Sequence, residues 1–198
     1  MFFGVNAFSF AQGNAEEGEK KSLACGACHG TDGNSLIEMN PKLAGQHAGY
    51  LVKQLKEFKL ASTTGGQEGR NNPVMNGMAA ALSEQDMLDI AAYYASQKPT
   101  AGAAPEDVIN EGHKLYVGGD LERGITACIA CHGPHGDGIS LAGFPDISGQ
   151  HTTYLKSQLE AFRSGERNNS HNGMMEDIGK RLTDKDIDIL SKYLAGLY

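Results

Sequence analysis

The sequence has little positive charge, no long apolar run and few cysteines. Its 17 Lys and Arg stand against 24 Asp and Glu, which gives the 198-residue chain a formal net charge of −7. This balance argues against a nucleic-acid partner, because nucleic acids are bound by clustered Lys and Arg, and it permits docking to a basic protein surface. No segment approaches the roughly 20 consecutive apolar residues that a membrane-spanning helix needs.

The sequence also lacks the alternation of apolar and polar residues that is typical of β-strands. Apolar residues instead recur at helical spacing, first in Tyr50–Phe58. Ser83 and Thr183 each precede a further amphipathic stretch and are expected to begin a helix. Asn14 and Glu17 predict a capping box at the start of the first helix. We therefore predict an all-α protein whose helices are joined by glycine-rich loops.

Five blocks of sequence occur twice and in the same order. They are residues 25–30 and 128–133, 41–47 and 145–151, 50–58 and 154–162, 70–72 and 167–169, and 82–86 and 182–186. Such repetition indicates two duplicated domains. We assign the N-terminal domain to residues 12–98, a Pro-, Gly- and Ala-rich linker to 99–105, and the C-terminal domain to 106–198. A glycine-rich insert at 117–125 is predicted to be a surface loop.

The first residues form a short apolar run that ends in Ala11 and resembles the end of a secretory signal peptide. We assign residues 1–11 to a partial signal peptide and expect export to the periplasm. The segment lacks a basic start, so cleavage after Ala11 and retention of the segment as an anchor both stay open.

Each domain contains one Cys-x-x-Cys-His motif. The residues are Cys25, Cys28 and His29 in the first domain and Cys128, Cys131 and His132 in the second. On a helix the three positions share one face, so the thiols can form thioethers to haem vinyl groups while the imidazole reaches the iron. A zinc site made of both cysteine pairs would leave the histidines unused, and a redox dithiol would favour a βαβ context. We predict two covalently bound haem c groups with His29 and His132 as axial iron ligands.

An electron-transfer haem needs a second axial ligand, which is commonly a methionine. Alignment of the repeated Leu82 and Leu182 pairs Met75 with Met175, in a loop before the last helix of each domain. A ligand that both halves need should be Met in both, which favours this pair. Met78 and Met174 stay open as alternatives.

Two further pairs of residues are candidates for contacts around the haems. A histidine ligand usually donates its second ring N–H to an acceptor, and we expect the carbonyl groups of Pro41 and Pro145 to accept it. The alternative is that these prolines only shape the loop. Arg70 and Arg167 are candidates to neutralise haem propionates, with solvated surface arginines as the alternative.

The sequence resembles the dihaem cytochrome c4 family over essentially the whole mature chain. The resemblance is carried by CGACHG and CIACHG, by PKLAGQH and PDISGQH, by the YLxxQL stretches and by the Leu-Ser/Thr-x-x-Asp starts of the last helices. The resemblance implies two tandem class-I-like cytochrome c domains related by pseudo-twofold symmetry, with haem edges close at their interface. It also implies Met75 and Met175 as iron ligands.

The same resemblance implies a periplasmic electron carrier, membrane-associated in some members. It would receive electrons from a quinol–cytochrome c reductase or another donor and deliver them to a terminal oxidase, notably of the cbb3 type. With His and Met on both irons no open site is left for a substrate, so we expect no enzymatic activity. The alternatives are the dihaem subunit of a dehydrogenase, such as a flavin-containing sulfide oxidase, and a dihaem peroxidase.

Overall fold

The computed structural model describes residues 12–197, so the predicted signal segment at residues 1–11 lies outside the described part. Between residues 12 and 197 the chain is helical and holds no β-strand, apart from isolated bridges of Asp120 with Ile125 and of Ile139 with Phe144. No helix in this range is long and apolar enough to cross a membrane. The predicted all-α class is confirmed.

The helices of the two halves follow the same order. In the N-terminal half they are α1 (Ala15–Lys21), α2 (Leu23–His29), α3 (Ala48–Thr64), α4 (Pro73–Ala80) and α5 (Glu84–Ser96). In the C-terminal half they are α6 (Glu106–Gly118), α7 (Ile129–His132), α8 (Thr152–Ser164), α9 (Met174–Arg181) and α10 (Asp184–Ala195), with 3-10 turns at Ser140–Ala142 and His171–Gly173. Each half therefore presents a motif helix followed by three packing helices.

The predicted helix starts are confirmed, with one difference in detail. Ser83 at the start of α5 forms a reciprocal capping box with Asp86, and Thr183 at the start of α10 forms the same box with Asp186. Asn14 also caps α1 by accepting from the backbone N–H groups of the first turn. Glu17 does not complete that box, because the backbone N–H of Asn14 donates to Asp89 at 2.8 Å; Glu17 pairs with Lys20.

The first helix of each half packs across the last helix of that half: α1 packs on α5, and α6 packs on α10. A glycine lies at each crossing. A Cβ atom at Gly18 would lie 2.0 Å from the carbonyl oxygen of Asp89, and one at Gly112 would lie 2.5 Å from the Cβ atom of Tyr193. Only a residue without a side chain permits this approach, so the two glycines set how closely the helices cross.

The apolar faces predicted for α5 and α10 form the cores of the two halves. In the first half the buried cluster consists of Leu51, Ile90, Ala91 and Tyr94. The second half has two buried clusters, which consist of Leu115, Ile125, Leu182, Ile187 and Leu190, and of Tyr116, Leu155, Tyr193 and Leu194. Cys25 packs against the cluster of the first half and Cys128 against both clusters of the second. The first cysteine of each motif thus faces the core of its own half.

The glycine-rich insert is more than the surface loop that the sequence predicts. Asp120 and Ile125 exchange backbone hydrogen bonds of 2.9 and 2.7 Å, which closes the loop as a tight turn. Ile125 is only 1% exposed and belongs to the C-terminal core. Arg123 binds Asp120 and reaches Asp186 on α10. The insert is therefore anchored to the domain by the core residue Ile125 and by the ion pair between Arg123 and Asp186.

Candidate functional site

The first Cys-x-x-Cys-His motif lies on α2, which ends at His29. This places Cys25, Cys28 and His29 at helical spacing on one face, as predicted. The next residue, Gly30, has φ +81°, and a Cβ atom there would lie 2.9 Å from the carbonyl oxygen of Asn34. Glycine after the histidine is therefore needed to turn the chain away from the site.

The second motif forms a shorter helix with the same local geometry. Cys128 is the N-cap of α7, and its carbonyl accepts from the backbone N–H of Cys131 at 3.1 Å and of His132 at 2.9 Å. Gly133 follows with φ +75°, in the place of Gly30. The hydroxyl of Tyr116 donates to the Gly133 carbonyl at 2.6 Å, which ties the end of the motif to α6.

Both motif histidines are buried and oriented by a proline carbonyl. His29 and His132 are each 7% exposed. Nδ1 of His29 lies 2.9 Å from the Pro41 carbonyl oxygen, and Nδ1 of His132 lies 2.9 Å from that of Pro145. The predicted hydrogen bonds are confirmed.

The proline carbonyl also sets which ring nitrogen carries the proton. A carbonyl oxygen can only accept, so Nδ1 must carry the proton and Nε2 is left with its lone pair. Burial lowers the pKa of both histidines, which favours the neutral ring. A neutral imidazole with a free, unprotonated Nε2 is the form that binds a metal.

The first cysteine of each motif is in an environment that disfavours the thiolate form. All four cysteines are free of disulfides. Burial raises the pKa of Cys25 and raises that of Cys128 to about 11, whereas a redox dithiol has a lowered pKa. Within residues 12–197 no group of three or more His, Cys, Asp and Glu side chains could hold a metal ion. The zinc and dithiol alternatives are therefore disfavoured.

Unpartnered polar atoms in the N-terminal half also fit a bound group beside the first motif. Two buried polar atoms have no partner among residues 12–197, namely Nε2 of His47 and the hydroxyl of Tyr94. Tyr94 belongs to the core cluster against which Cys25 packs. Orphaned polar groups of this kind are expected where a further bound group completes a site.

The candidate methionines lie on short helices and not in loops as predicted. Met75 is on α4, while Met174 and Met175 begin α9. All three are half-buried, and Met78 is 40% exposed. The helices already include these methionines because a preceding side chain accepts a backbone N–H bond in each first turn. The sequence pattern did not predict these acceptors. Asn72 accepts from the backbone N–H of Met75 at 3.0 Å, and Ser170 accepts from that of Met175 at 3.0 Å.

The two repeated arginines lie between the domains. Arg70 donates to the Tyr154 hydroxyl at 3.0 Å, and Arg167 donates to the Tyr50 hydroxyl at 2.9 Å. Both also bind the interface glutamines: Gln54 accepts from Arg70 at 2.9 Å and Gln158 accepts from Arg167 at 2.8 Å. The alternative of solvated surface arginines is therefore wrong, and the contact with haem propionates stays a prediction.

The repeated Gly-Gln-His segments meet at the same interface. Gln46 bonds to the backbone of Asp146, and Gln150 bonds to the backbone of Lys42. His151 reaches the Ser35 carbonyl at 2.8 Å. The sequence analysis assigned these glutamines no role, although their repetition beside each proline was the available signal. The reciprocal exchange is what pseudo-twofold symmetry between the halves requires.

Comparison with known proteins agrees with this architecture. The cytochrome c family model matches residues 15–98 and again residues 109–197. The chain is 47% identical to cytochrome c4 of Stutzerimonas stutzeri, over 100% of this chain and 96% of that protein. It is 36% identical to a thiosulfate dehydrogenase electron acceptor of Stutzerimonas stutzeri strain A1501, over 95% of this chain and 84% of that protein.

A solved structure extends the match to three dimensions. Reduced recombinant cytochrome c4 from Pseudomonas stutzeri superposes with a TM-score of 0.91 at 46% identity, covering 94% of this chain and 100% of that one. The chain is accordingly an electron-transfer protein and not an enzyme, with two c-type haems held in two tandem cytochrome c domains. From its paired motifs, its twofold-related halves and these likenesses, the chain belongs to the dihaem cytochrome c4 family.

Proposed function

We propose that this protein is a periplasmic carrier that takes electrons from a quinol–cytochrome c reductase or a comparable donor and delivers them to a terminal oxidase of the cbb3 type. The observation that carries the proposal is the matched pair of buried histidines, each held by a proline carbonyl with Nε2 free. When bound, each haem supplies reversible one-electron transfer between its ferric and ferrous states.

We assign the site residues as follows. Cys25, Cys28, Cys128 and Cys131 attach the haems, and the axial pairs are His29 with Met75 and His132 with Met175. The methionine pairing is supported by local structure: the backbone N–H groups of Met75 and Met175 each donate to a side-chain oxygen at the start of equivalent helices. The two methionines thus occupy corresponding places, whereas Met78 corresponds to an isoleucine in the repeat.

Single substitutions of the methionines test this assignment. Met75→Ala and Met175→Ala should each remove the red-region absorption band of sulfur-ligated ferric haem from one domain, because the thioether is lost. Met78→Ala and Met174→Ala are matched controls and should retain both bands. If Met174→Ala removes the band of the second domain while Met175→Ala leaves it, the assignment in that domain is wrong.

A second role is favoured by one comparison. The relative from strain A1501 is named as the electron acceptor of thiosulfate dehydrogenase. A dehydrogenase could therefore be the donor to this chain, either in a transient encounter or as a stable subunit complex. The stable-complex alternative predicts a stoichiometric partner on purification.

Electron transfer with purified partners distinguishes the two roles. The reduced dihaem protein is mixed with a cbb3 oxidase, and the oxidised protein is mixed with thiosulfate dehydrogenase and thiosulfate. Our proposal expects rapid, catalytic oxidation by the oxidase. Reduction by the dehydrogenase together with no oxidation by the oxidase would overturn the oxidase proposal and support the acceptor role.

A further inference from the structure

The peptide groups that follow Pro41 and Pro145 connect each motif histidine to the opposite domain. The Pro41 carbonyl accepts from Nδ1 of His29 at 2.9 Å. The N–H of the same peptide unit, which belongs to Lys42, donates to Oε1 of Gln150 at 2.8 Å. His29 and Gln150 therefore lie at the two ends of one hydrogen-bonded peptide, although they belong to different domains.

The same arrangement occurs in the opposite direction. The Pro145 carbonyl accepts from Nδ1 of His132 at 2.9 Å. The N–H of that peptide unit, which belongs to Asp146, donates to Oε1 of Gln46 at 3.1 Å. Each domain thus supplies one glutamine to the peptide that orients the histidine of the other.

Both glutamine side chains are held in a single orientation. Oε1 of Gln150 accepts from the backbone N–H of Lys42 and of His151, while its Nε2 donates to the Lys42 carbonyl at 2.9 Å. Backbone N–H groups can only donate, so the amide cannot be reversed. Gln46 makes the equivalent contacts and donates to the Asp146 carbonyl at 2.7 Å. Gln46 is 8% and Gln150 is 9% exposed, so water competes little for these bonds.

Hydrogen bonds in series polarise one another. An acceptor on the N–H of a peptide increases the electron density on its carbonyl oxygen, which then accepts more strongly from the histidine. A stronger Nδ1–H···O bond makes the imidazole a more basic ligand. A more basic ligand favours ferric over ferrous iron, and hydrogen bonding around the ligands is one of the properties that set a haem potential.

We propose that Gln150 lowers the reduction potential of the haem in the N-terminal domain and that Gln46 lowers that of the haem in the C-terminal domain, each acting across the interface as a positioning residue. The inference rests on the assignment of His29 and His132 as iron ligands.

The test uses the dihaem protein with Gln150→Leu and, separately, Gln46→Leu. The potentials are measured by a redox titration followed by NMR, in which the haem methyl signals of the two domains are resolved. We expect Gln150→Leu to raise mainly the N-terminal potential and Gln46→Leu to raise mainly the C-terminal one. In the ferrous protein, the Nδ1 proton of the histidine opposite the substitution should move upfield as its hydrogen bond weakens.

Gln158→Leu is the matched control, because Gln158 binds Arg70 and Arg167 at the same interface without touching either peptide. It should leave both Nδ1 protons in place. Gln150→Asn keeps the amide but is one methylene too short, and it serves if the leucine variant does not fold. The proposal would be overturned by a change in potential confined to the haem of the domain that carries the substitution, by equal changes at both haems, or by no change.

The failure of the ligand assignment would be recognised separately in the wild-type protein. If His29 and His132 bind iron, their ring protons carry the large ring-current shifts of a haem ligand in the ferrous state. Absence of these shifts would refute the ligand assignment. Their presence without a cross-domain change in potential would refute only the role of the glutamines.

Discussion

Asp186 shows how one residue joins two parts of the C-terminal domain, the start of α10 and the insert. It closes the capping box of α10 with Thr183 and accepts from Arg123 at 2.6 Å, which anchors the insert. Partial burial alone would raise its pKa, but the hydrogen bonds from Arg123 and Thr183 lower the pKa to about 2. The carboxylate is therefore more stable in the folded than in the unfolded chain.

This shift predicts a stability that depends on acid pH. The contribution is present above the ordinary pKa of 3.8 and is lost as the pH falls from there toward about 2. Asp186→Asn should lower the free energy of unfolding at neutral pH by about 1–3 kcal/mol. Denaturant titrations at several pH values should show a flatter acid dependence for the variant. Asp188→Asn, in a half-exposed pair with Lys192, should behave like the wild type.

At the scale of elements, the crossings of α1 on α5 and of α6 on α10 depend on glycine. The matched positions Gly18 and Gly112 lie at those contacts. The sequence repeat did not align the two glycines, because the insert at 117–125 shifts the second half. Helix pairs without space for a Cβ atom must separate when one is added, which disturbs the core beside them.

Gly112→Ala should therefore destabilise the C-terminal domain. The added methyl group would meet the side chain of Tyr193, and overpacking of this kind costs about 1–3 kcal/mol. Gly118→Ala is the matched control on the same helix, because nothing lies within 4 Å of the position. The control should be neutral or stabilising by up to about 1 kcal/mol. Equal effects of both substitutions on the unfolding midpoint would contradict a role for the crossing.

On the scale of the whole molecule, a buried polar network holds the two domains together. Arg167 is 8% exposed and stacks 4.4 Å from the ring centre of Phe162, while Arg70 lies 4.9 Å from that of Phe58. Both guanidinium groups bind the other domain through a tyrosine hydroxyl. The hydrogen bonds and the rings together satisfy charges that lie away from water.

Loss of one of these arginines should weaken the interface. Arg167→Ala leaves the Tyr50 hydroxyl without its donor and leaves Gln158 with Arg70 alone, so it should lower the free energy of unfolding by about 1–3 kcal/mol. Hydrogen exchange of the α3 and α8 amide groups should increase in the variant. Arg181→Ala removes only an exposed pair with Asp177 and should change stability by less than about 1 kcal/mol. A variant of Arg167 as stable as that control would show that the network contributes little.

Much of the fold and of the candidate site could be predicted from the sequence, because it depends on local patterns. The motif positions of Cys25, Cys28 and His29 follow from helical spacing, and the starts of α5 and α10 follow from capping residues that act within one turn. The prediction placed Met75 and Met175 in loops because the cap Asn72 and the hydrogen bond from Met175 to Ser170 were not recognised. For Arg70 the sequence left two alternatives open, a haem propionate or solvent, because its partner Tyr154 belongs to the other domain.

The sequence by itself determined that the chain is helical, that it is duplicated, and that each half carries a Cys-x-x-Cys-His motif for a c-type haem. These properties depend on residues that are close in the chain, so spacing and repetition reveal them. Only the tertiary structure decided that Gln46, Gln150 and the two arginines face across the interface, since their partners lie more than eighty residues away in sequence. Contacts of that separation form through packing of the domains, and no local pattern encodes them.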